Sequence, residues 1–215
     1  MHTLYGSPGS GSAAIEVALQ MTQLPWRSVR AATWEPDSAL AELHRLNPLG
    51  QIPALLLPGG SVMTESAAIL IHLGLTVPAS GLLPVDPLRR AQALRGLVFI
   101  SANCYAAIGL LDYPERWCAV GGVDHNAVLD SLRRGSRARL HSLWEQFADQ
   151  FAATPFLNGD ALGALDILAA VVSRWSGTRA HLQASRPTFF ATLKRIEAVP
   201  VVAAVFARHW PEAAA

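Results

Sequence analysis

Residues 47–70 read NPLGQIPALLLPGGSVMTESAAIL: two short apolar runs separated by a Pro-Gly-Gly turn and followed by a run with helical spacing. Proline presets the first dihedral of a turn and glycine accepts a positive φ, so the turn at 58–60 predicts a hairpin with both strands inside 52–63. The apolar positions that follow predict a helix over 65–75. This stretch therefore predicts a β-β-α unit.

The residues before this unit alternate between strand and helix patterns. Short β-prone runs predict strands at 2–6 and 26–32, and helical spacing predicts helices over 11–24 and 38–48. The predicted order over residues 1–76 is β-α-β-α-β-β-α. Such alternation favours an α/β domain built on one small sheet.

The chain changes character after residue 76. The segment VPASGLLPVDP (77–87) is rich in Pro, Gly and Ser and lacks periodicity, so we predict a linker at 77–86. We therefore expect an α/β domain over 1–76 and an all-α helical bundle over 87–215. The helices predicted in the second domain cover 88–112, 125–152, 165–175 and 187–208.

The composition of the 215-residue chain narrows the function classes. Hydrophobic residues make up 51% of the chain, charged residues only 15%, and the formal net charge is +1. These values are typical of a compact globular protein. The densest basic group, between Arg133 and Arg139, fits a solvated helix face, so nucleic acid is not expected as a partner.

Targeting signals and cysteines indicate the compartment. The first residues lack a basic region followed by an apolar region, so no signal peptide is predicted. The longest apolar stretch, 97–111, is too short to span a bilayer, so we expect no membrane association. Cys104 and Cys118 are the only cysteines and form no CxxC motif, which argues against a disulfide framework or a metal site. We expect no metal and a cytoplasmic location.

The serine cluster SPGSGS, residues 7–12, precedes the first predicted helix. A helix N-terminus carries unpaired N–H groups and about half a positive charge, so it favours an anion. A hydroxyl from Ser10 or Ser12 could donate a hydrogen bond to a thiolate or another anion at that point. Serine is also among the best N-capping residues, so a purely structural turn is the alternative interpretation.

A proline stands directly before the strand predicted after residue 53. Proline cannot donate to a sheet ladder, so its position suggests either a cis Ile52-Pro53 peptide bond or an edge strand. A cis-proline would turn the backbone N–H and C=O of Ile52 outward, where an extended peptide could pair with them like an added strand.

An acid and a serine open the helix predicted over 65–75. Ser66 and the first unpaired N–H groups of that helix could hold a carboxylate, and Glu65 could pair with an ammonium. The alternative is an ordinary helix start with a favourably placed acid. A hydroxyl, a proline loop and this pair lining one groove would suit a peptide with a thiol, an amide and an amino-acid end, which describes glutathione.

Five segments in the same order resemble the cytosolic glutathione transferase family, and the similarity covers essentially the whole chain. The proline loop and the acid-serine segment match the family patterns NPxGxVPxL and ESxAI. The start resembles that of serine-type members, so the chain is identified as a serine-type bacterial member. The segments are LYGSPGS (4–10), NPLGQIPAL (47–55), TESAAIL (64–70), LNGDALGALDILAA (157–170) and RIEAVPVVAAVF (195–206).

The resemblance implies a fold and a set of roles. It implies a thioredoxin-like N-terminal domain followed by a helical C-terminal domain, and a homodimer. Ser10 falls on the catalytic serine, with Ser12 as its competitor. The glutathione-binding residues implied are Gln51, Ile52, Pro53, Glu65 and Ser66. The first long C-terminal helix and the residues after it would line a substrate pocket, with Asn103, Tyr105 and Tyr113 as its wall.

Three positions depart from the family pattern. Gly11 stands where cysteine-type members carry a reactive cysteine, which removes mixed-disulfide chemistry. Glu16 stands where serine-type members usually carry a basic residue, and Gly163 replaces the serine or threonine that begins the structural motif at Asp166.

The implied activity is glutathione transfer, in which glutathione is activated as a thiolate that attacks a small hydrophobic electrophile. The alternatives are a glutathione-dependent isomerase or dehalogenase on the same fold, and a non-catalytic binding or scaffold protein.

Overall fold

The computed structural model describes residues 1–119 and 124–211. Its sheet has four strands in the order β2-β1-β3-β4. Strand β1 is parallel to β2 and antiparallel to β3, and β3 is antiparallel to β4. The strands are β1 (His2–Gly6), β2 (Trp26–Arg30), β3 (Ala54–Leu56) and β4 (Val62–Met63).

Three helices cover the two faces of this sheet: α1 (Ser12–Thr22), α2 (Leu40–Leu46) and α3 (Ser66–Thr76). Successive strand residues point to opposite faces. Leu4 accordingly belongs to the main core, which includes residues of α1 and α3, while its neighbour Tyr5 joins the smaller cluster beneath α2. The predicted βαβαββα order and thioredoxin-like architecture are confirmed.

The second half of the chain is helical, as predicted. Its buried centre is α7, in which all nine residues are buried. Residues 120–123 and 212–215 of the predicted domain 87–215 lie outside the described residues. The helices are α4 (Pro87–Phe99), α5 (Ala106–Asp112), α6 (His125–Phe151), α7 (Ala164–Val172), α8 (Thr178–Ser185), α9 (Pro187–Glu197) and α10 (Pro200–His209).

The predicted helix over 88–112 differs from the expectation in the middle. A π-helical segment, Ile100–Tyr105, separates α4 from α5. Such segments interrupt the regular ladder and are common at functional sites. Tyr105, its last residue, turns toward the cleft described below.

Two further differences concern the C-terminal helices. Helix α8 follows Gly177, which has a positive φ of 77°, and was not predicted. The helix predicted over 187–208 is divided at Val199, because Pro200 cannot donate to the helical ladder and begins α10 instead.

The continuous helical run from Pro87 to Asp112 is longer than the apolar stretch recognised from the sequence. The run has 26 residues and contains an 18-residue stretch with a mean hydropathy of 1.6, which meets the length and composition of a membrane-crossing helix and corrects the expectation that no segment is long enough. Core helices of globular proteins meet the same criteria. Here Leu97, Ile100 and Cys104 of the run are buried within the main core.

The predicted linker is packed against both halves of the chain. Leu82 and Leu83 are buried, and the Leu82 carbonyl accepts a hydrogen bond from the Ala164 N–H at 2.8 Å. This segment therefore holds the start of α7 against the end of the sheet domain.

Candidate functional site

A cleft of about 710 Å³ opens where the N-termini of α1 and α3 and the loop before β3 face the π-helical segment and α5. Most of the residues predicted for the site come together there, although they are far apart in sequence. The predicted residues that line it are Ser10, Gln51, Ile52, Pro53, Glu65, Ser66, Tyr105 and Tyr113.

The serines of the cluster hydrogen-bond to one another and to the backbone of the same loop. The Ser10 hydroxyl donates to the Ser7 carbonyl at 2.7 Å and lies 2.8 Å from the Ser12 hydroxyl. The Ser12 hydroxyl also reaches the Ser7 carbonyl, at 3.2 Å. Each serine carries one hydroxyl proton, so the protons of Ser10 and Ser12 have acceptors within the cluster.

The two serines face different sides of the loop. Ser10 lines the cleft, and its oxygen accepts a hydrogen bond from the Ser12 N–H at 3.2 Å. The Ser12 side chain instead occupies the space that a side chain on Gly6 would fill, and it is only 1% exposed. Ser12 therefore packs toward the sheet and Ser10 toward the cleft.

Gly11 stands at the N-terminus of α1 with its missing side chain directed into the cleft. A Cβ atom built on it would lie 2.5 Å from the Tyr105 hydroxyl and 3.5 Å from the Ser66 hydroxyl. Pro53 Cδ is also 3.5 Å from that position. The Tyr105 hydroxyl thus lies directly against the backbone at the start of α1.

The Ile52–Pro53 peptide bond is cis, which confirms one of the two interpretations of this proline. The loop before it is held by Asn47, whose side-chain amide donates to the Gln51 carbonyl at 2.9 Å. Gly50 has a φ of 64°, a value that favours glycine. A second cis bond, Thr154–Pro155, was not predicted.

Glu65 precedes α3 with a φ of 65°, a left-handed conformation that is rare for a residue with a side chain. Such strain is typical of functional sites, where the surrounding structure holds the backbone in place. Ser66 follows it as the first residue of α3 and is buried. Its hydroxyl lies near that of Tyr105, because the two oxygens are 3.5 and 2.5 Å from the same point, the position of a Cβ on Gly11.

Tyr105 is anchored by an aromatic contact that sequence reasoning did not find. Its ring lies 5.8 Å from the ring of Trp175, whose indole N–H donates to the Gly9 carbonyl at 3.3 Å. Burial raises the pKa of Tyr105 to about 12, so the phenol keeps its proton at neutral pH. The only sequence signal for Trp175 was its place at the end of a predicted helix.

The outer wall of the cleft carries aromatic groups and one guanidinium. Arg116 stacks over the Tyr113 ring at 3.9 Å from its centroid. Trp34, in the loop after β2, and Trp117, after α5, also line the cleft and are 55% and 63% exposed. Burial raises the pKa of Asp112, which also lines the cleft.

Asn103 is not brought to this cleft. Its side-chain amide donates to the Phe99 carbonyl at 3.1 Å, and the residue lines a second, more open cleft between the π-helical segment and α6. The half-turn between Asn103 and Tyr105 places the two side chains on different faces of the helix.

Glu16 is engaged outside the cleft. Its carboxylate accepts from Arg208 at 3.0 Å and from His209 at 2.9 Å, both on α10. The acid that replaces a basic residue in α1 therefore joins this helix to the end of the chain.

The comparisons with known proteins agree with this geometry. The family model for the glutathione S-transferase N-terminal domain matches residues 12–75. The GST-like protein YncG of Escherichia coli is 28% identical over 210 residues, covering 97% of this chain and 98% of that protein. The maleylacetoacetate isomerase maiA of Aspergillus fumigatus is 30% identical over 212 residues, which cover 94% of this chain and 86% of the isomerase.

A solved structure shows the same fold over the whole length. A sphingomonad glutathione S-transferase complexed with glutathione superposes with a TM-score of 0.77 at 25% identity, covering 98% of this chain and 100% of that one. The match in sequence, in architecture and over nearly the full chain shows that the protein belongs to the cytosolic glutathione transferase superfamily.

Proposed function

We propose that the protein is a glutathione transferase of the serine type, which activates the thiol of glutathione for attack on a small hydrophobic electrophile. The observation that carries this proposal is the convergence of the α1 N-terminus, the cis-proline loop and the Glu65–Ser66 pair around one cleft. The sphingomonad relative with bound glutathione supports the choice of ligand.

Each part of glutathione has a complementary group in the cleft. Glu65 would pair with the ammonium of the γ-glutamyl end. Ser66 and the N–H groups at the start of α3 would hold its carboxylate. The backbone of Ile52 would pair with the cysteinyl amide, beside Pro53. Gln51 would reach a carboxylate of the tripeptide.

The thiol would then lie at the N-terminus of α1. A free thiol has a pKa of ~8.5, and lowering that pKa by about two units requires roughly 2.7 kcal/mol of preference for the thiolate. The positive end of the α1 dipole and one charge-assisted hydrogen bond are together of this order. Of the two serines, Ser10 is the candidate donor because it lines the cleft while Ser12 faces the sheet.

The electrophile would occupy the outer part of the cleft, beside Tyr105 and Tyr113. The thiolate sulfur forms a bond to the electrophilic carbon of the substrate, and the leaving group departs with its electron pair. The protein would contribute proximity and stabilisation of the anion.

Binding and turnover test the proposal together. We expect retention on immobilised glutathione, a thermal shift on adding glutathione, and turnover of a generic aryl halide. Glu65→Gln should weaken glutathione binding by about tenfold, because the ammonium loses its charged partner. Asp160→Asn, which removes an exposed carboxylate remote from the cleft, serves as the matched control. An unmodified protein with neither retention nor thermal shift would favour the scaffold alternative.

A glutathione-dependent isomerase is the second candidate, and the 30% identity to the maleylacetoacetate isomerase maiA favours it. In such a reaction the thiolate adds to a conjugated double bond, the new single bond rotates, and elimination returns the thiolate. Isomerisation of maleylacetoacetate without consumption of glutathione would assign this activity. Stoichiometric loss of free thiol with an aryl halide would assign transfer.

We also propose that the protein is a cytoplasmic homodimer, with domains at 1–76 and 87–215 joined at 77–86. Light scattering on the purified protein measures the oligomeric state directly. A monomer mass at micromolar concentration would contradict the dimer.

A further inference from the structure

We propose that the Tyr105 hydroxyl donates the principal hydrogen bond to the glutathione thiolate, in the space left open by the missing side chain of Gly11. The proposal rests on the glutathione chemistry proposed above and adds a catalytic residue from the helical domain. The serine cluster then becomes the support of the loop, with Ser10 as a weaker donor.

The position of the hydroxyl carries the inference. Any side chain at residue 11 would begin 2.5 Å from the Tyr105 oxygen, closer than two such atoms can approach. The hydroxyl therefore occupies the point where a side chain at the α1 N-terminus would present a reactive or donating group. Ser66 and Pro53 border the same point, so a thiol entering between the proline loop and α3 meets this hydroxyl.

The availability of its proton separates Tyr105 from the serines. The hydroxyl protons of Ser10 and Ser12 have acceptors inside their cluster, chiefly the Ser7 carbonyl. Tyr105 stands outside this cluster, and its hydroxyl faces the cleft at the α1 N-terminus, with Ser66 and Pro53 as neighbours. Burial keeps the phenol protonated at neutral pH. Its proton can therefore be donated to a ligand thiolate.

Trp175 is the positioning residue for this hydroxyl. Its ring packs against Tyr105, and its indole N–H ties the same residue to the Gly9 carbonyl in the loop before α1. The distance between the phenol and the helix start is thereby set by one side chain that contacts both. Tyr105 itself is held by its place at the end of the π-helical segment.

In the reaction the phenol keeps its own proton. The glutathione thiol gives its proton to solvent, and the sulfur anion accepts the hydrogen bond from Tyr105. When the sulfur forms a bond to carbon, its negative charge passes to the leaving group, and the hydrogen bond weakens.

The decisive experiment measures the pKa of bound glutathione, from its ultraviolet thiolate absorbance, in the wild type and in Tyr105→Phe. A charge-assisted hydrogen bond of this kind corresponds to a rise of about 1 in the thiol pKa when it is removed. We expect that rise, an equal shift of the acid limb of the pH–rate profile, and a loss in kcat/KM of about threefold near neutral pH that approaches about tenfold below the wild-type thiol pKa. Affinity for S-methylglutathione, which has no thiol proton, should change less than twofold.

Three further variants separate a donor from a merely structural residue. Ser10→Ala should raise the thiol pKa less than Tyr105→Phe does. Gly11→Ala, which forces the phenol away, should reproduce the Tyr105→Phe shift. Tyr5→Phe removes a hydroxyl that donates to Glu42 at 2.6 Å outside the cleft, and should leave the thiol pKa and turnover unchanged.

An unchanged thiol pKa in Tyr105→Phe, in a protein that binds and turns over glutathione, would overturn this inference alone. A larger shift in Ser10→Ala would return the role to the serine. Failure of the wild type to bind glutathione would instead remove the proposed function, and the two failures are distinguished by the wild-type binding measurement.

Discussion

At the scale of single residues, the chemistry of the cleft depends on which side chain lies in the space at the start of α1. Gly11 leaves that space open, Ser10 borders it, and Ser12 turns away toward Gly6. The Tyr105 hydroxyl, from the second half of the chain, lies at the position that a side chain on Gly11 would occupy. Ser10 and Ser12, which the sequence pattern alone does not distinguish, therefore have different surroundings.

Ser12→Ala tests the structural role of the inner serine. The variant removes a buried hydroxyl that donates to the Ser7 carbonyl and contacts Ser10. We expect the free energy of unfolding to fall by about 1–2 kcal/mol in chemical denaturation, with glutathione affinity within twofold of the wild type. A variant of unchanged stability that had lost turnover would give Ser12 a catalytic role instead.

At the scale of elements, the start of α7 shows how a departure from a motif is accommodated. Asp166 accepts hydrogen bonds from the backbone N–H groups of Leu157, Asn158 and Gly163 at 2.6, 3.2 and 3.0 Å. Gly163 has no side chain to complete a reciprocal cap, and a Cβ there would lie 2.5 Å from Asn158. The glycine leaves room for Asn158, which takes the space of a capping serine or threonine.

Asp166→Ala tests the contribution of this carboxylate. The substitution leaves three backbone N–H groups near the buried end of α7 without their acceptor. We expect a loss of about 2–4 kcal/mol in the free energy of unfolding, measured by denaturant titration. Asp160→Ala, an exposed acid in the same loop, should change it by less than about 0.5 kcal/mol. Equal effects of the two variants would contradict the assigned role.

At the scale of the whole molecule, α1 is held by the helical domain at its N-terminus and near its middle. Its N-terminus faces the helical domain through Tyr105 and Trp175, and Glu16 along its length pairs with Arg208 and His209 of α10. The helix that would bind the thiolate is therefore positioned by contacts with the second half of the chain.

Glu16→Gln tests the link between α1 and α10. Burial alone would raise the pKa of Glu16, but the hydrogen bonds from His209 and Arg208 outweigh it and lower that pKa below 4.5. A carboxylate with a lowered folded-state pKa stabilises the fold above its unfolded pKa, and this stability is lost as the pH falls through the folded value. The difference in unfolding free energy between wild type and Glu16→Gln should thus be largest at neutral pH and shrink on acidification below 4.5.

Denaturation of both proteins across this pH range provides the measurement. At pH 7 the variant should be less stable by about 1–3 kcal/mol. A difference that grows toward low pH would contradict a lowered pKa for Glu16.

The order of strands and helices was predictable because it depends on local periodicity and turn chemistry. The hairpin at 58–60 and the start of α3 follow from Pro, Gly and the apolar spacing around them. The C-terminal helices were predicted less accurately. Helix α8 was missed, and the helix predicted over 187–208 was not divided at Pro200.

The sequence by itself determined the family, the βαβαββα order and most of the residues that line the cleft, because these are carried by local patterns and ordered motifs. Only the tertiary structure decided which hydroxyl faces the start of α1, that Asn103 points elsewhere, and that Trp175 braces Tyr105. The physical reason is distance along the chain: Gly11, Ser66, Tyr105 and Trp175 meet through packing of separate helices, and no local pattern specifies which way a side chain turns when they meet.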